Sequence, residues 1–110
     1  MKTGLRTHAS ASLRLSYSQA VDAHLRGGLR EISHLTSAEP GNGHATQLMR
    51  SVIAEADKTN TMLMLTAEPF KDGMDMGALT DWYTRLGFQL LQETPRIMVR
   101  LPARVMAAYG

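Results

Sequence analysis

The chain contains no cysteine, which excludes disulfide bonds, thiolate catalysis and cysteine-ligated zinc sites. Aromatic residues make up only 5% of its 110 residues, and eight methionines supply flexible apolar volume in their place. The net charge is +2 with no block of like charges, and no apolar run approaches membrane-spanning length. The N-terminus lacks a signal-peptide core. We therefore expect a soluble, cytoplasmic protein that forms one globular domain over residues 1–110.

The first third of the chain predicts three β-strands. Apolar and polar residues alternate over residues 13–17 and again over residues 21–25, as in strands with one buried face. A Gly-Gly pair then signals a hairpin turn. Residues 29–36 follow as a third strand, and Ile32 and Leu35 are its candidates for the core.

The middle of the chain predicts a strand–helix–strand unit. Residues 62–67 form a nearly continuous apolar run, which is typical of a strand buried on both faces in a parallel sheet. A strand, a crossover helix and a buried strand together indicate a βαβ unit. The apolar residues that share one face of the predicted helix are Ala45, Leu48, Met49, Val52, Ile53 and Ala56.

The last part of the chain predicts a loop, a second helix and two closing strands. Asp75 is placed to cap the start of the helix, and Gly87 is placed to end it. Residues 102–110 are open between a short helix and a frayed end. The predicted boundaries are residues 68–75 for the loop, 75–86 for the helix, and 88–93 and 96–101 for the strands.

Residues 41–56, with the sequence GNGHATQLMRSVIAEA, place a glycine-rich turn directly before the first helix. Such a turn leaves backbone N–H groups at the positive end of the helix dipole, where they can bind an anion. The competing interpretation is that Gly41 and Gly43 only permit a tight turn. The run DWYTRLGF at residues 81–88 favours the anion site, because the two segments together match one family.

This order of elements resembles the GNAT superfamily of acyl-CoA-dependent N-acetyltransferases over roughly residues 29–101. The family's pyrophosphate motif, Q/R-x-x-G-x-G/A, aligns with residues 40–45, where Gly43 and Ala45 match. The family's later signature, an aromatic-rich helix ending in Tyr-x-x-x-Gly-Phe, is matched by the residues Tyr83, Gly87 and Phe88.

The sequence departs from the family pattern at three places. Pro40 stands where the motif has Gln or Arg, and Met76 stands where many members carry Asn early in the last helix. The segment before Leu13 is too short for the family's usual pair of N-terminal helices. The resemblance thus implies a minimal member whose acceptor site is either more open or completed by a second subunit, as in a homodimer.

The resemblance implies an α/β (α+β) single-domain GNAT-type fold. Its sheet would be mixed and mostly antiparallel, with a central βαβ unit and helices on both faces. The implied activity is transfer of an acetyl group from acetyl-CoA to an amine acceptor, a small molecule or a protein. Direct attack is expected, because no cysteine can carry a covalent acetyl group. The residues implied to bind coenzyme A are Leu35 and Thr36 through their backbones, and Gly41, Asn42, Gly43, His44, Ala45 and Thr46 at the turn.

Tyr83 is the implied general acid, because the family places this phenol near the departing sulfur. Its position on the apolar stripe with Leu79 and Leu86 is equally typical of a core aromatic residue. The two interpretations are compatible, since a tyrosine can bury its ring and present its hydroxyl to a cleft.

Glu31 is the candidate general base, because it lies on the strand that supplies the base in several members. Alternation along that strand predicts that Glu31 shares a face with Leu35. Its rivals are Glu39, Glu68 and His34, and an ordered water could relay the proton instead. Each of these residues could equally be a plain surface residue.

The sequence leaves room for other classes of function. The four histidines are not spaced as metal ligands, so no metal site is expected. A catalytically degenerate module that binds coenzyme A or a protein partner without turnover is the main rival, motivated by Pro40 and the missing helices. A nucleic-acid-binding domain is the weaker rival, because the arginines are scattered and no aromatic stacking platform lies among them.

Overall fold

The computed structural model describes residues 1–9, 11–17, 28–37, 43–68 and 75–105. The predicted strand at residues 21–25, Gly41, Asn42 and Glu39 therefore lie outside the described residues. Within them, a short helical turn at residues 103–105 follows the last strand. The elements in chain order are β1 (Gly4–His8), β2 (Ala11–Tyr17), β3 (Leu29–Ser37), α1 (His44–Thr59), β4 (Met62–Thr66), α2 (Met76–Arg85), β5 (Gln89–Gln92) and β6 (Ile97–Arg100).

The six strands form one sheet in the order β1-β2-β3-β4-β6-β5. Only β3 and β4 run parallel, and the other four neighbouring pairs are antiparallel. The helix α1 connects the two parallel strands, because a parallel pair needs a crossover connection. The predicted βαβ unit and the mixed, mostly antiparallel sheet are both confirmed.

The boundaries of α2 have local causes that the sequence indicates. Asp75 precedes α2, and its side chain accepts a hydrogen bond of 2.8 Å from the Ala78 N–H. Gly87 follows α2 with a φ of 96°, a left-handed conformation that favours glycine. A Cβ atom there would also lie 3.0 Å from Nε of Arg100. The predicted cap and the predicted stop of this helix are confirmed.

Both helices lie on the same face of the sheet. Arg100 of β6 binds the Asp57 carboxylate of α1 through both terminal nitrogens, at 2.7 and 3.2 Å, and its Nε donates to the Leu86 carbonyl after α2. The prediction of helices on both faces is wrong for the described helices. The crossovers β3–α1–β4 and β4–α2–β5 advance in the same direction along the sheet, so right-handed connections place both helices on one side.

The core lies between this face and the helices. Leu63 and Leu65 of β4 are fully buried there, while Met62 and Met64 on the opposite face are only half-buried. The prediction that this strand is buried on both faces is therefore met on one face, because no described helix covers the other. The buried helical residues are Leu48, Met49, Val52 and Ala56 of α1, with Leu79 and Tyr83 of α2.

The strand β1 was not predicted from the sequence. It is an edge strand paired only with β2, and most of its side chains are exposed, including Leu5. Without a buried face it carries no apolar alternation, which is the signal that identifies a strand. The strand lies before β2, in the segment that is too short for the family's usual pair of N-terminal helices.

Candidate active site

The functional candidates gather at one edge of the sheet, where the parallel strands β3 and β4 end. Both α1 and α2 begin at this edge, because each follows one of these strands. The antiparallel neighbours bring three further segments here: the end of β1, the start of β2 and the β5–β6 turn. Ligands of open α/β sheets bind beyond the carboxyl ends of the strands, so this edge is the expected position of a site.

The strands β3 and β4 separate at this edge. Their pairing ends at Ile32 and Leu65, although β3 continues to Ser37 along β2 and β4 continues along β6. The backbone of Leu35 and Thr36 therefore has no registered partner on the β4 side among the described residues. An extended chain can add to such an edge by backbone hydrogen bonds. The separation lies beside Leu35 and Thr36, whose backbones the resemblance assigns to coenzyme A.

The start of α1 opens onto the same place. Gly43 is the N-cap residue with a φ of 75°, and its backbone oxygen accepts the first helical bond from the Gln47 N–H at 3.0 Å. No side chain caps this end, and its first turn has no acidic residue. A Cβ atom on Gly43 would meet no atom within 4 Å. The helix dipole and the open approach both suit an anion.

Three aromatic side chains border this helix start. The Trp82 indole Nε1 donates a 3.1 Å hydrogen bond to the Thr46 hydroxyl, which links α2 to the first turn of α1. The rings of His8 and His44 meet edge to face with centroids 6.2 Å apart. His8 Nε2 also lies 2.6 Å from Oε1 of Gln47. Strand β1 thus contributes a polar side chain to this edge, which the sequence analysis did not foresee.

Tyr83 lies on α2, next to Trp82 in the sequence. Its side chain is buried, and its ring packs at 5.0 Å from Trp82 and 5.7 Å from Phe88, measured between centroids. Burial raises the pKa of Tyr83 to about 12. Its hydroxyl makes no hydrogen bond to a described residue. Tyr83 is thus a core aromatic residue whose phenol keeps its proton throughout the neutral range, and its role as general acid stays a prediction.

Glu31 does not share a face with Leu35, so that prediction is wrong. His34 has a left-handed φ of 56°, and the pairing of β3 with β2 shifts by one residue there, which marks a bulge. The bulge reverses the alternation, so Leu35 and Ile32 face the core. Glu31 points to the opposite face, half-buried beside Met64 of β4.

The rival bases that the structure describes are more exposed than Glu31. His34 is exposed, and its Nδ1 lies 3.1 Å from the Ser33 hydroxyl. Glu68 is exposed just after β4. The structure thus links Thr46 to α2 through Trp82, the neighbour of Tyr83, and leaves Glu31 on the opposite face of the sheet.

Arg96 is a residue of this edge that sequence reasoning missed. It lies in the β5–β6 turn, and its backbone oxygen accepts a 2.7 Å bond from the Ala67 N–H at the end of β4. Its Nη1 donates 2.9 Å to the Thr80 hydroxyl on α2, and its Nε is buried without an acceptor. A lone arginine in a turn carries no pattern in the sequence that would separate it from a surface arginine.

The described residues contain neither a group of metal ligands nor a membrane-spanning helix. Within residues 1–9, 11–17, 28–37, 43–68 and 75–105, no three His, Cys, Asp or Glu side chains are grouped to hold a metal ion. Neither described helix is long and apolar enough to cross a membrane.

The comparisons with known proteins were made for sequence and for structure. No protein-family model matches the chain, and no curated protein matches its sequence. The crystal structure of the anti-CRISPR protein AcrVA5 matches with a TM-score of 0.69 and 16% identity, over 90% of this chain and 98% of that one. A protein from Exiguobacterium sp. 255-15, provisionally named an acetyltransferase, matches with a TM-score of 0.52 and 18% identity, over 92% of this chain and 68% of that one.

These two likenesses show the fold. This chain has a GNAT-like fold: a single compact α+β domain with a mixed six-stranded sheet. The predicted fold class is confirmed.

Proposed function

We propose that this protein is an acyl-CoA-dependent N-acetyltransferase that moves an acetyl group from acetyl-CoA to an amine acceptor. One observation carries the proposal: β3 and β4 separate directly beside the uncapped glycine start of α1. This arrangement offers an anion site and an unpaired strand edge side by side. Coenzyme A has both matching parts, a pyrophosphate and an extended amide-bearing arm.

The residues that would hold acetyl-CoA fall into two groups. Backbone N–H groups of the α1 start, from Gly41 to Thr46, would bind the pyrophosphate, with Gly43 in the left-handed conformation that the turn needs. The backbone of Leu35 and Thr36 would pair with the pantetheine arm. Bound acetyl-CoA supplies an activated thioester carbonyl and a thiol leaving group.

The proton transfers fall to this chain's own groups. Tyr83 holds a proton on Oη, and we assign it as the general acid that protonates the departing sulfur. Glu31 is retained as the candidate base, acting from the opposite side of the sheet through the gap between β3 and β4, directly or through water. The chain has no cysteine, so we propose direct transfer in a ternary complex.

The test is a turnover assay with purified protein, acetyl-CoA and a panel of amines, in which release of free thiol is followed. Steady release that requires both the amine and acetyl-CoA supports the proposal. Saturable acetyl-CoA binding without release on any amine would instead support the alternative, a module that binds coenzyme A without turnover. The acceptor panel includes small amines, lysine peptides and free peptide N-termini, and the mass of each product identifies the acetylated nitrogen.

The oligomeric state is a second part of the proposal. The segment before β2 supplies one strand where larger members have two helices, and the sheet face opposite the described helices includes half-buried Met62 and Met64. A homodimer would complete the acceptor side across this face. Sedimentation of the purified protein at several concentrations distinguishes a monomer from a dimer directly.

A further inference from the structure

The guanidinium of Arg96 is a half-buried cation to which the described chain gives no carboxylate. Its described polar contact is the 2.9 Å bond from Nη1 to the Thr80 hydroxyl, and its ion-pair partners include none of the described acidic residues. The Nε atom is buried and has no acceptor. A buried donor left without a partner is costly, and an unpaired buried charge more so.

Two other internal arginines of the described chain have carboxylate partners, while half-buried Arg30 on β3 donates to the backbone carbonyls of Met1 and Leu29. Arg100 meets the Asp57 carboxylate with both terminal nitrogens, and Arg6 pairs with the Glu55 carboxylate. The chain thus pairs these cations with carboxylates where they serve the fold. Arg96 is placed in a comparable partly buried position and instead carries only a neutral hydroxyl.

The position of Arg96 relates it to the proposed chemistry. Thr80 lies one helical turn before Tyr83 on α2, and residues three apart on a helix are neighbours on its surface. The Arg96 backbone is joined to the end of β4 through the Ala67 N–H, at the edge where β3 and β4 separate. The guanidinium is therefore bonded to the residue one helical turn before the candidate acid, and Arg96 lies across β4 from the strand edge assigned to the pantetheine arm.

We propose that Arg96 binds a carboxylate of the amine acceptor, so that the acceptor class is an amine that also carries a carboxylate. Arginine suits this task, because its planar fork can donate two parallel hydrogen bonds to a carboxylate. This inference rests on the proposed acetyltransferase function. It assigns the anion to the acceptor and not to coenzyme A, whose phosphates are assigned to the start of α1.

The test uses matched acceptor pairs, each an amino acid and its carboxamide, and compares rates per free amine, because amidation lowers the pKa of the neighbouring ammonium group. Glycine and glycinamide, and lysine and lysinamide, are suitable pairs. A lost charged hydrogen bond corresponds to about a tenfold to hundredfold change in kcat/KM. We expect the wild type to prefer the carboxylate member by at least about tenfold, and Arg96→Gln to reduce that preference to about one.

The controls separate this role from a structural one. Arg85→Gln removes the same charge from the exposed end of α2 and should keep the preference. Arg96→Lys keeps the charge without the planar fork and should retain part of it. Because both acceptors are measured on one variant, partial unfolding lowers both rates equally and leaves their ratio unchanged.

A binding measurement gives a readout independent of turnover. The side-chain Nε–H resonance of Arg96 should shift when glycine is titrated into the protein with desulfo-coenzyme A present, and should not shift with glycinamide. An equal shift with both probes overturns the inference.

Four further results overturn the inference: a wild type that prefers the amides, a preference that survives Arg96→Gln, acetyl transfer only to acceptors without a carboxylate, and a loss of acetyl-CoA affinity in Arg96→Gln. The last would place the anion on the cofactor. Acetyl transfer confined to amides would overturn this inference while leaving the proposed function intact. Failure to bind acetyl-CoA at all would remove the proposed function itself.

Discussion

At the scale of single residues, Tyr83 is both a buried core aromatic and a phenol with a raised pKa. Burial between Trp82 and Phe88 raises the pKa of its phenol to about 12, so the group stays protonated across the neutral range. Because the folded pKa lies above the ordinary value near 10, this group's contribution to stability is complete below pH 10 and is lost as the pH rises toward 12. A phenol in this state keeps its proton at neutral pH, so the proton is available to a departing thiolate in the proposed reaction.

The first prediction concerns Tyr83→Phe. Transfer should slow by about a hundredfold or more, because the proton donor is lost while the ring remains. The dissociation constant for acetyl-CoA should be unchanged. The free energy of unfolding should change by less than about 0.5 kcal/mol, because the hydroxyl bonds no described residue. Steady-state kinetics, calorimetry and urea unfolding measure the three quantities. Unchanged turnover would remove Tyr83 from the acid role.

The second prediction concerns Gly43. Gly43→Gln and Gly43→Glu share the cost of a side chain at a φ of 75°, about 1 kcal/mol, and differ only in charge. The glutamate should weaken acetyl-CoA binding by at least about tenfold relative to the glutamine, because it places a negative charge at the phosphate site. Calorimetric titration of both variants measures the ratio. Equal affinities would mean that the phosphates bind elsewhere.

Single residues also show where sequence reasoning fails. The face of Glu31 was predicted wrongly, because the left-handed bulge is carried by His34 and not by a glycine that would have signalled it. Arg96 was missed, because its significance lies in the carboxylate it lacks, and a missing contact is visible only in three dimensions. The tight glycine turn before α1 was predicted from local sequence and is present at Gly43, while the role of Gly43 in cofactor binding stays a prediction.

At the scale of elements, α1 follows the glycine turn and contacts β6 through its last turn. Its start is the proposed anion site, and the Asp57 carboxylate in its last turn binds Arg100 of β6 and accepts a 2.9 Å hydrogen bond from the Ala103 N–H. Burial of Asp57 raises its pKa, but the bonds from Arg100 and Ala103 outweigh this, and the net pKa is lowered. The contribution of this carboxylate is therefore present above about pH 4 and lost as the pH falls further.

The third prediction tests that link. Asp57→Asn should lower the free energy of unfolding at pH 7 by about 1–3 kcal/mol, because buried Arg100 loses its charged partner. The control Glu55→Gln removes the more exposed partner of Arg6 and should cost less than about 1 kcal/mol. Urea unfolding between pH 3 and pH 7 measures both. The cost of Asp57→Asn should shrink below pH 4, and a cost independent of pH would contradict the assignment.

Buried apolar positions at regular spacing identified α1 and β4, and the exposed strand β1, which lacks them, was missed. The helix α1 and the strand β4 follow from residues whose spacing matches the period of each structure. The strand β1 lies at the edge of the sheet, and most of its side chains are exposed. It is defined by its pairing with β2, which no local sequence pattern encodes. The placement of both described helices on one face likewise follows from the handedness of connections and not from any residue.

At the scale of the whole molecule, the sheet carries its two described helices on one side and gathers its functional candidates at one edge. Strand separation, an uncapped helix start and a buried tyrosine meet there without any metal cluster among the described residues. The GNAT-like fold explains why these parts coincide, since parallel strands and the helices that follow them share an edge. The central claim is that this edge binds acetyl-CoA.

Calorimetric titration of the wild-type protein with acetyl-CoA tests that claim most directly. The account predicts saturable binding at one site per chain, with weaker binding by the Gly43→Glu variant and undiminished binding by Tyr83→Phe. Adenosine, which lacks the pyrophosphate and the pantetheine arm, should bind far more weakly. Absence of saturable binding up to millimolar acetyl-CoA, with the protein shown to be folded, would contradict the account.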